Sequence, residues 1–138
     1  MSDLIPGLGS RREAREEALA MLYEAEQTGE SIADSLSRRP IPPADYAVDL
    51  ASGVENSVNG LDSLIGAHLT GWTVSRMPVV DRVIARIGAW ELSQRPEIPT
   101  GVVLSEAVEI ATQYCSEQSP RFLNGVLRSI ADEVRDGE

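Results

Sequence analysis

The chain has 138 residues, 42% of them hydrophobic and 25% charged, and a formal net charge of −10. That length suits one domain with a core of its own. The acidic balance argues against broad, non-specific binding to nucleic acid or to an anionic membrane, although it does not exclude a small basic patch. Only 4% of residues are aromatic, so the core must be built from Leu, Ile, Val and Ala. There is a single cysteine, Cys115, which excludes an internal disulfide, and no apolar run approaches the roughly 18–20 residues needed to span a bilayer. The first residues lack the basic flank and apolar stretch of a signal peptide, and a cytoplasmic protein with no membrane association is expected. All 12 cationic residues are arginines, which carry the planar fork suited to phosphates and base edges.

Residues 1–9 hold Pro6, Gly7 and Gly9 and read as a flexible tail, followed by a single domain over 10–138. Ser10 with Glu13 forms a capping-box pattern. Ala14, Ala18, Leu22 and Ala25 then recur at helical spacing, with Met21 beside them, until Gly29. A short amphipathic segment spans 31–37, and prolines at 40, 42 and 43 make a loop. Pro43 suits the first turn of a new helix. Ala47, Leu50, Ala51, Val54, Val58, Leu61, Ile65 and Leu69 step by three or four, which predicts the longest helix of the chain. Its interruption is expected near Gly60 and its end at Gly71.

"WTVSRMPVV" reads as a turn of helix leading into the next element. The helix over 78–94 is apolar around most of its circumference, which marks it as central. Arg95-Pro96 and Pro99 end it. "VVLSEAVEIATQY" gives another helix, with Val103, Ala107, Ile110, Ala111 and Tyr114 on one side. Ser119-Pro120 reads as a cap and a first-turn proline. Leu123, Val126, Leu127, Ile130 and Val134 form the stripe of the last helix. The pattern contains no convincing strand. It predicts an all-α bundle of six to seven helices in two loosely separated halves, divided near residue 72.

Three arginines stand at the start of the first helix. At about 100° per residue, Arg11 and Arg15 lie close together above the apolar stripe, and Arg12 lies farther round. Glu13, Glu17 and Glu24 face the opposite side. Ordinary solvated or weakly paired arginines, worth about 0–1 kcal/mol each, would explain this. So would a local anion site, since cations at a helix start oppose its dipole. On the last helix, Arg121, Asn124, Gly125 and Arg128 lie opposite the apolar stripe, with Phe122 at its margin. This face could receive a nucleic-acid strand, the ring stacking on a base and the arginines meeting phosphates. Equally, Phe122 could be rim core and Gly125 a point of close helix packing. His68 reads as a helix-surface residue and Cys115 as an inert boundary residue. No P-loop, GxGxxG, HExxH, CxxC or GxSxG motif occurs, so neither an enzyme, a cofactor nor a metal is expected.

Three segments carry a resemblance: "RREAREEALAMLYEAE", "VDRVIARIGAWEL" and "PTGVVLSEAVEIATQYCSEQSPRFLNGVLRSI". With the intervening "AHLTGWTVSRMP", the chain resembles the NusB family of bacterial transcription antitermination factors from Arg11 to Ile130. The resemblance implies an all-α, non-enzymatic fold. It implies binding to single-stranded boxA RNA of ribosomal RNA operon transcripts, together with the ribosomal protein NusE and the RNA polymerase elongation complex. It assigns RNA contacts to Arg11, Arg12, Arg15, Arg86, Arg121 and Phe122. It assigns the NusE-facing side to Tyr23, Asp81, Tyr114 and Gln118. A homodimer is a further partner, since some members form one that covers the arginine helix. A related helical domain precedes some ribosomal-RNA cytosine methyltransferases, for which this chain has no room. It departs from the family pattern at Glu13, inside the arginine cluster, and at Gln118, where an acid is common. A protein-only adaptor with weak or lost RNA binding is the alternative function.

Overall fold

The computed structural model describes residues 8–135, which form seven α-helices and one turn of 3-10 helix and contain no strand. The helices divide between two compact units, one ending at Asn56 and the other beginning at Ser57. The division expected near residue 72 therefore falls earlier. The long helix predicted over this region, with an interruption near Gly60, is two helices, α3 (Asp45–Asn56) and α4 (Val58–Ala67). Asn56 and Ser57 carry short polar side chains that compete with the helical backbone, and the ladder restarts where Leu61 N–H donates to the Ser57 carbonyl at 2.9 Å. Gly60, where the interruption was expected, is inside α4. α4 ends at Ala67, before Gly71, which has φ +75° in the following loop. The longest helix is α1 (Leu8–Thr28).

In the first unit, α1 packs along α3, and α2 (Ile32–Arg38) touches both. α1 begins at Leu8, so Ser10 lies inside it and is not its cap. Of the expected tail, residues 1–7 lie outside the described residues, and Leu8 and Gly9 are helical. Extension towards the N-terminus needs little once the helix is nucleated, because each added residue gains a hydrogen bond. Ala14, Ala18, Leu19, Met21 and Leu22 are its buried face. Gly29 ends it with φ +77°, a left-handed conformation open to glycine. Ser31 then caps α2, its Oγ accepting from Asp34 N–H at 3.1 Å. Two glutamates fix helix starts: Glu55 accepts from Ile32 N–H at 2.9 Å, and Glu17 from Ala44 N–H at 3.1 Å. Each carboxylate meets the positive end of a helix dipole.

In the second unit, α5 (Val79–Gln94) is central and touches α4, α6 (Thr100–Tyr114) and α7 (Ser119–Val134). Every residue from Val83 to Leu92 is buried, which agrees with its all-round apolar pattern. At Gly88 a β-carbon would stand 2.7 Å from Leu127 Cδ1 on α7, so glycine permits this close approach. Nothing lies within 4 Å of a β-carbon built at Gly125, so that glycine has no packing role. Leu123, Val126, Leu127 and Ile130 form the buried stripe of α7 as expected, extended by Ala131, while Val134 is half-buried. Tyr114, expected on the buried side of α6, is 54% exposed. Fully burying each Leu or Ile contributes about 1.5–3 kcal/mol, so these stripes account for the assembly of both units. Among the described residues, no helix is long and apolar enough to cross a membrane.

Candidate nucleic-acid interface

The three arginines of α1 occupy three different environments. Arg12 is exposed, Arg11 is half-buried, and Arg15 is only 3% exposed. The ring of Tyr46, the second residue of α3, lies beneath two of them. The Arg11 guanidinium carbon is 4.4 Å from its centroid and that of Arg15 is 5.9 Å. Arg15 was expected at the edge of the apolar stripe and is instead inside it. The reason is Leu19, one turn further on, whose burial widens the stripe past the Arg15 position. Glu13, the residue out of keeping with a basic patch, is exposed. Elsewhere in this unit the arginines are paired. Arg38 bridges Glu24 and Glu30 at 2.8 and 2.7 Å, and Arg39 reaches Glu24 at 3.3 Å. Arg38 thereby holds the Glu30 carboxyl below its ordinary range.

Arg86, implied by the resemblance as an RNA contact, is engaged within the fold. It is 9% exposed, and its Nε and Nη2 each donate at 2.8 Å to the two carboxylate oxygens of Asp62 on α4. This is a fork-to-fork pair that ties α4 to α5.

The outer face of α7 is as the helical projection places it: Arg121, Asn124, Gly125 and Arg128 are all exposed, and Phe122 is half-buried. Phe122 opens onto a cleft of about 220 Å3, also lined by Trp72, Met77, Pro78, Asp81, Ser116, Gln118 and Ser119. Trp72 is 54% exposed, so the cleft has two aromatic residues in reach of solvent. Neither Trp72 nor Tyr46 was assigned a role from the sequence. Their scarcity as aromatics was the available signal.

Of the residues expected to face a protein partner, Tyr23 is 41% exposed, and Tyr114 and Gln118 are exposed. Asp81 is not a surface residue: it is 5% exposed and accepts a 2.6 Å hydrogen bond from Ser119 Oγ. Ser119, read as the cap of α7, is the first helical residue, and Gln118 precedes it. Cys115 lies beside this pair. Burial first, then the Asp81 carboxylate, push its thiol up to about 12, so it is protonated and unreactive at neutral pH. His68 is not on the open surface either. Its Nδ1 lies 2.6 Å from Ser129 Oγ and its Nε2 2.7 Å from Glu133 Oε1, which ties the end of α4 to α7. Among the described residues, no three His, Cys, Asp or Glu side chains gather as metal ligands.

Exposed arginines thus remain at Arg12 on α1 and at Arg121 and Arg128 on α7 of an acidic chain. Residues 12–132 match the NusB family model. The chain belongs to the NusB family. It is 44% identical over 130 residues to the transcription antitermination protein NusB of Salinispora tropica, covering 89% of this chain and 96% of that protein. It is 38% identical over 129 residues to the protein of the same name from Kineococcus radiotolerans, covering 91% and 95%. Its fold is similar to T. maritima NusB, with a TM-score of 0.79 and 32% identity over 89% of this chain and 91% of that one. It is also similar to a chain in the crystal structure of antitermination factors NusB and NusE in complex with dsRNA. There the TM-score is 0.74 and the identity 28%, over 91% and 98% of the two chains. Within this NusB-family fold, the exposed members of the implied RNA set are Arg12 and Arg121, with Arg11 and Phe122 half-buried.

Proposed function

We propose that this chain is a transcription antitermination factor that acts by binding, not by catalysis. It binds boxA RNA of ribosomal RNA operon transcripts together with NusE, and joins the elongating RNA polymerase complex. The observation that carries this reading is the outer face of α7. Two exposed arginines and an exposed amide there adjoin Phe122, whose ring opens onto an aromatic cleft. Arginines meet phosphates and the aromatic takes an unstacked base, which is how single-stranded RNA is held. Arg11 and Arg12 give α1 a second cationic surface, with Arg15 and Arg86 supporting the fold beneath. Tyr23, Tyr114 and Gln118 supply exposed aromatic and polar groups for a protein partner, and Asp81 acts from behind Ser119. A cytoplasmic location follows from an RNA target that is still being transcribed.

The test is binding of boxA RNA with and without NusE, at two salt concentrations. Each phosphate contact to single-stranded RNA should contribute about −0.7 to the slope of log K against log salt. Arg11→Ala/Arg12→Ala and, separately, Arg121→Ala/Phe122→Ala should each weaken binding. Parent-like binding by both folded variants would overturn the assignment of these surfaces. Capture of NusE with no RNA binding at either salt would favour the protein-only adaptor. A protein whose RNA affinity falls as its own concentration rises would point to a homodimer covering α1.

A further inference from the structure

We infer that Tyr46 is a positioning residue for RNA binding, holding the Arg11 guanidinium in the orientation it uses; this rests on the reading that the α1 arginines contact RNA. Arg11 and Arg15 are like charges one turn apart, a repulsive spacing on a helix. Arg11 also stands in the first turn of α1, where the dipole is positive. The structure offsets these costs with one aromatic face. Tyr46 places its ring 4.4 Å from one guanidinium carbon and 5.9 Å from the other. Both distances fall within the roughly 6 Å over which a ring attracts a cation.

The backbone that carries the ring is anchored. Tyr46 stands at the start of α3, two residues after Ala44, whose N–H donates to Glu17 of α1 at 3.1 Å. The Glu17 carboxylate of α1 therefore holds the backbone just ahead of α3, two residues from Tyr46. With Arg15 buried and Arg11 half-buried, Arg11 is the outer of the two cations. A guanidinium stacked by its face keeps its N–H donors at its edge, where a phosphate or base edge can meet them. An arginine already held this way gives up less rotational freedom when RNA arrives than a solvated one. Tyr46 thus acts through Arg11 and not by touching the RNA.

The experiment measures the affinity of the full chain for a single-stranded boxA RNA in five proteins: the parent, Tyr46→Phe, Tyr46→Leu, Arg11→Ala and the double variant Arg11→Ala/Tyr46→Leu. Tyr46→Phe keeps the ring face and should bind within about twofold of the parent. Tyr46→Leu should weaken binding about 3- to 10-fold, the scale of one side chain left to be ordered on binding. In the Arg11→Ala background, Tyr46→Leu should cost nothing further. Arg11→Ala should also lower the salt slope, whereas Tyr46→Leu should leave it nearly unchanged because the charge is retained. Parent-like binding by Tyr46→Leu, or losses that multiply in the double variant, would overturn the inference. Should Tyr46→Leu fail to fold, Arg11→Lys answers the same question from the half-buried side chain. Lysine keeps the charge without the stacking plane, so several-fold weaker binding supports the inference and parent-like binding overturns it. Arg11→Ala without effect removes the reading that Arg11 contacts RNA, and the inference with it. Loss with Arg11→Ala but not with Tyr46→Leu removes only the role of Tyr46.

Discussion

Ser119 and Asp81 join the first turns of two helices through one 2.6 Å hydrogen bond, and neither side chain is more than 5% exposed. A buried carboxylate requires its donor, because an unsatisfied one carries its full desolvation cost. Ser119→Ala should therefore lower stability by about 1–3 kcal/mol, read as a shift in the urea midpoint. The substitution Ser119→Asp distinguishes this role from capping. Aspartate is among the best helix caps, so a capping serine would tolerate it. At a position facing Asp81 it brings two carboxylates together and should destabilise more than alanine does. Equal stability of Ser119→Asp and the parent would contradict the buried-donor role.

The Arg86–Asp62 pair makes a separate prediction about what Arg86 is for. Removing one member of a fully buried pair costs about 3–5 kcal/mol, and Asp62, with its side chain 32% exposed, retains some water. Arg86→Ala should therefore destabilise by about 2–3 kcal/mol. Replacing both residues with apolar ones, Arg86→Met/Asp62→Leu, should recover most of that loss. RNA affinity should be unchanged in this double variant at a temperature where it is folded. A drop in RNA affinity at full foldedness would show that Arg86 reaches RNA.

These two sites show what the sequence made legible. The period of the apolar residues placed the core stripes of α5 and α7, and the outward face of α7, because burial of a stripe is what a helix surface has to satisfy. Arg86 and Asp81 were legible as charged residues on a central helix but not as buried ones. Their partners, Asp62 and Ser119, are 24 and 38 residues away in the chain, and spacing carries no record of such pairings. Ser119 looked like a cap since Ser-Pro at a helix start fits either role. The break was expected near Gly60 and falls at Ser57, because the apolar step of three or four continues straight through it and does not mark its position. Tyr46 was missed for the same reason as Asp62: its meaning depends on Arg11, which lies on another helix.

Arg135 had no distinguishing pattern in the sequence, yet it closes the far end of α5. Only 9% exposed, it donates to the carbonyls of Glu91, Leu92, Arg95 and Ile98 and to Thr100 Oγ1, at 2.7 to 3.3 Å. Those carbonyls include the last acceptors of α5, the negative end of its dipole. Arg135→Ala would take the guanidinium donor from the Leu92 and Ile98 carbonyls and should cost about 3 kcal/mol. Arg135→Lys should recover less than half of it, because one ammonium cannot span five acceptors as a guanidinium fork does. Amide hydrogen exchange should rise first in residues 91–100. Uniform exchange across α5 in Arg135→Ala would argue against a local clamp.

Cys115 gives the pH prediction. Burial, aided by the Asp81 carboxylate and opposed by the Ser119 hydroxyl, moves its thiol from about 9 to about 12. Between those values the unfolded chain releases the thiol proton while the folded chain keeps it. The folded state then binds more protons, so stability falls as pH rises through this window and is indifferent to this group below about pH 9. Cys115→Ala lacks the group, so its urea midpoint should decline less than that of the parent from pH 9 upward. The two proteins should track each other between pH 6 and pH 8. Asp81→Asn supplies the internal check: without the carboxylate the thiol ionises more readily, and alkylation by iodoacetamide at pH 8.5 should be faster than in the parent. An alkylation rate equal to that of a free thiol in the parent would mean that Cys115 is not shielded in this way.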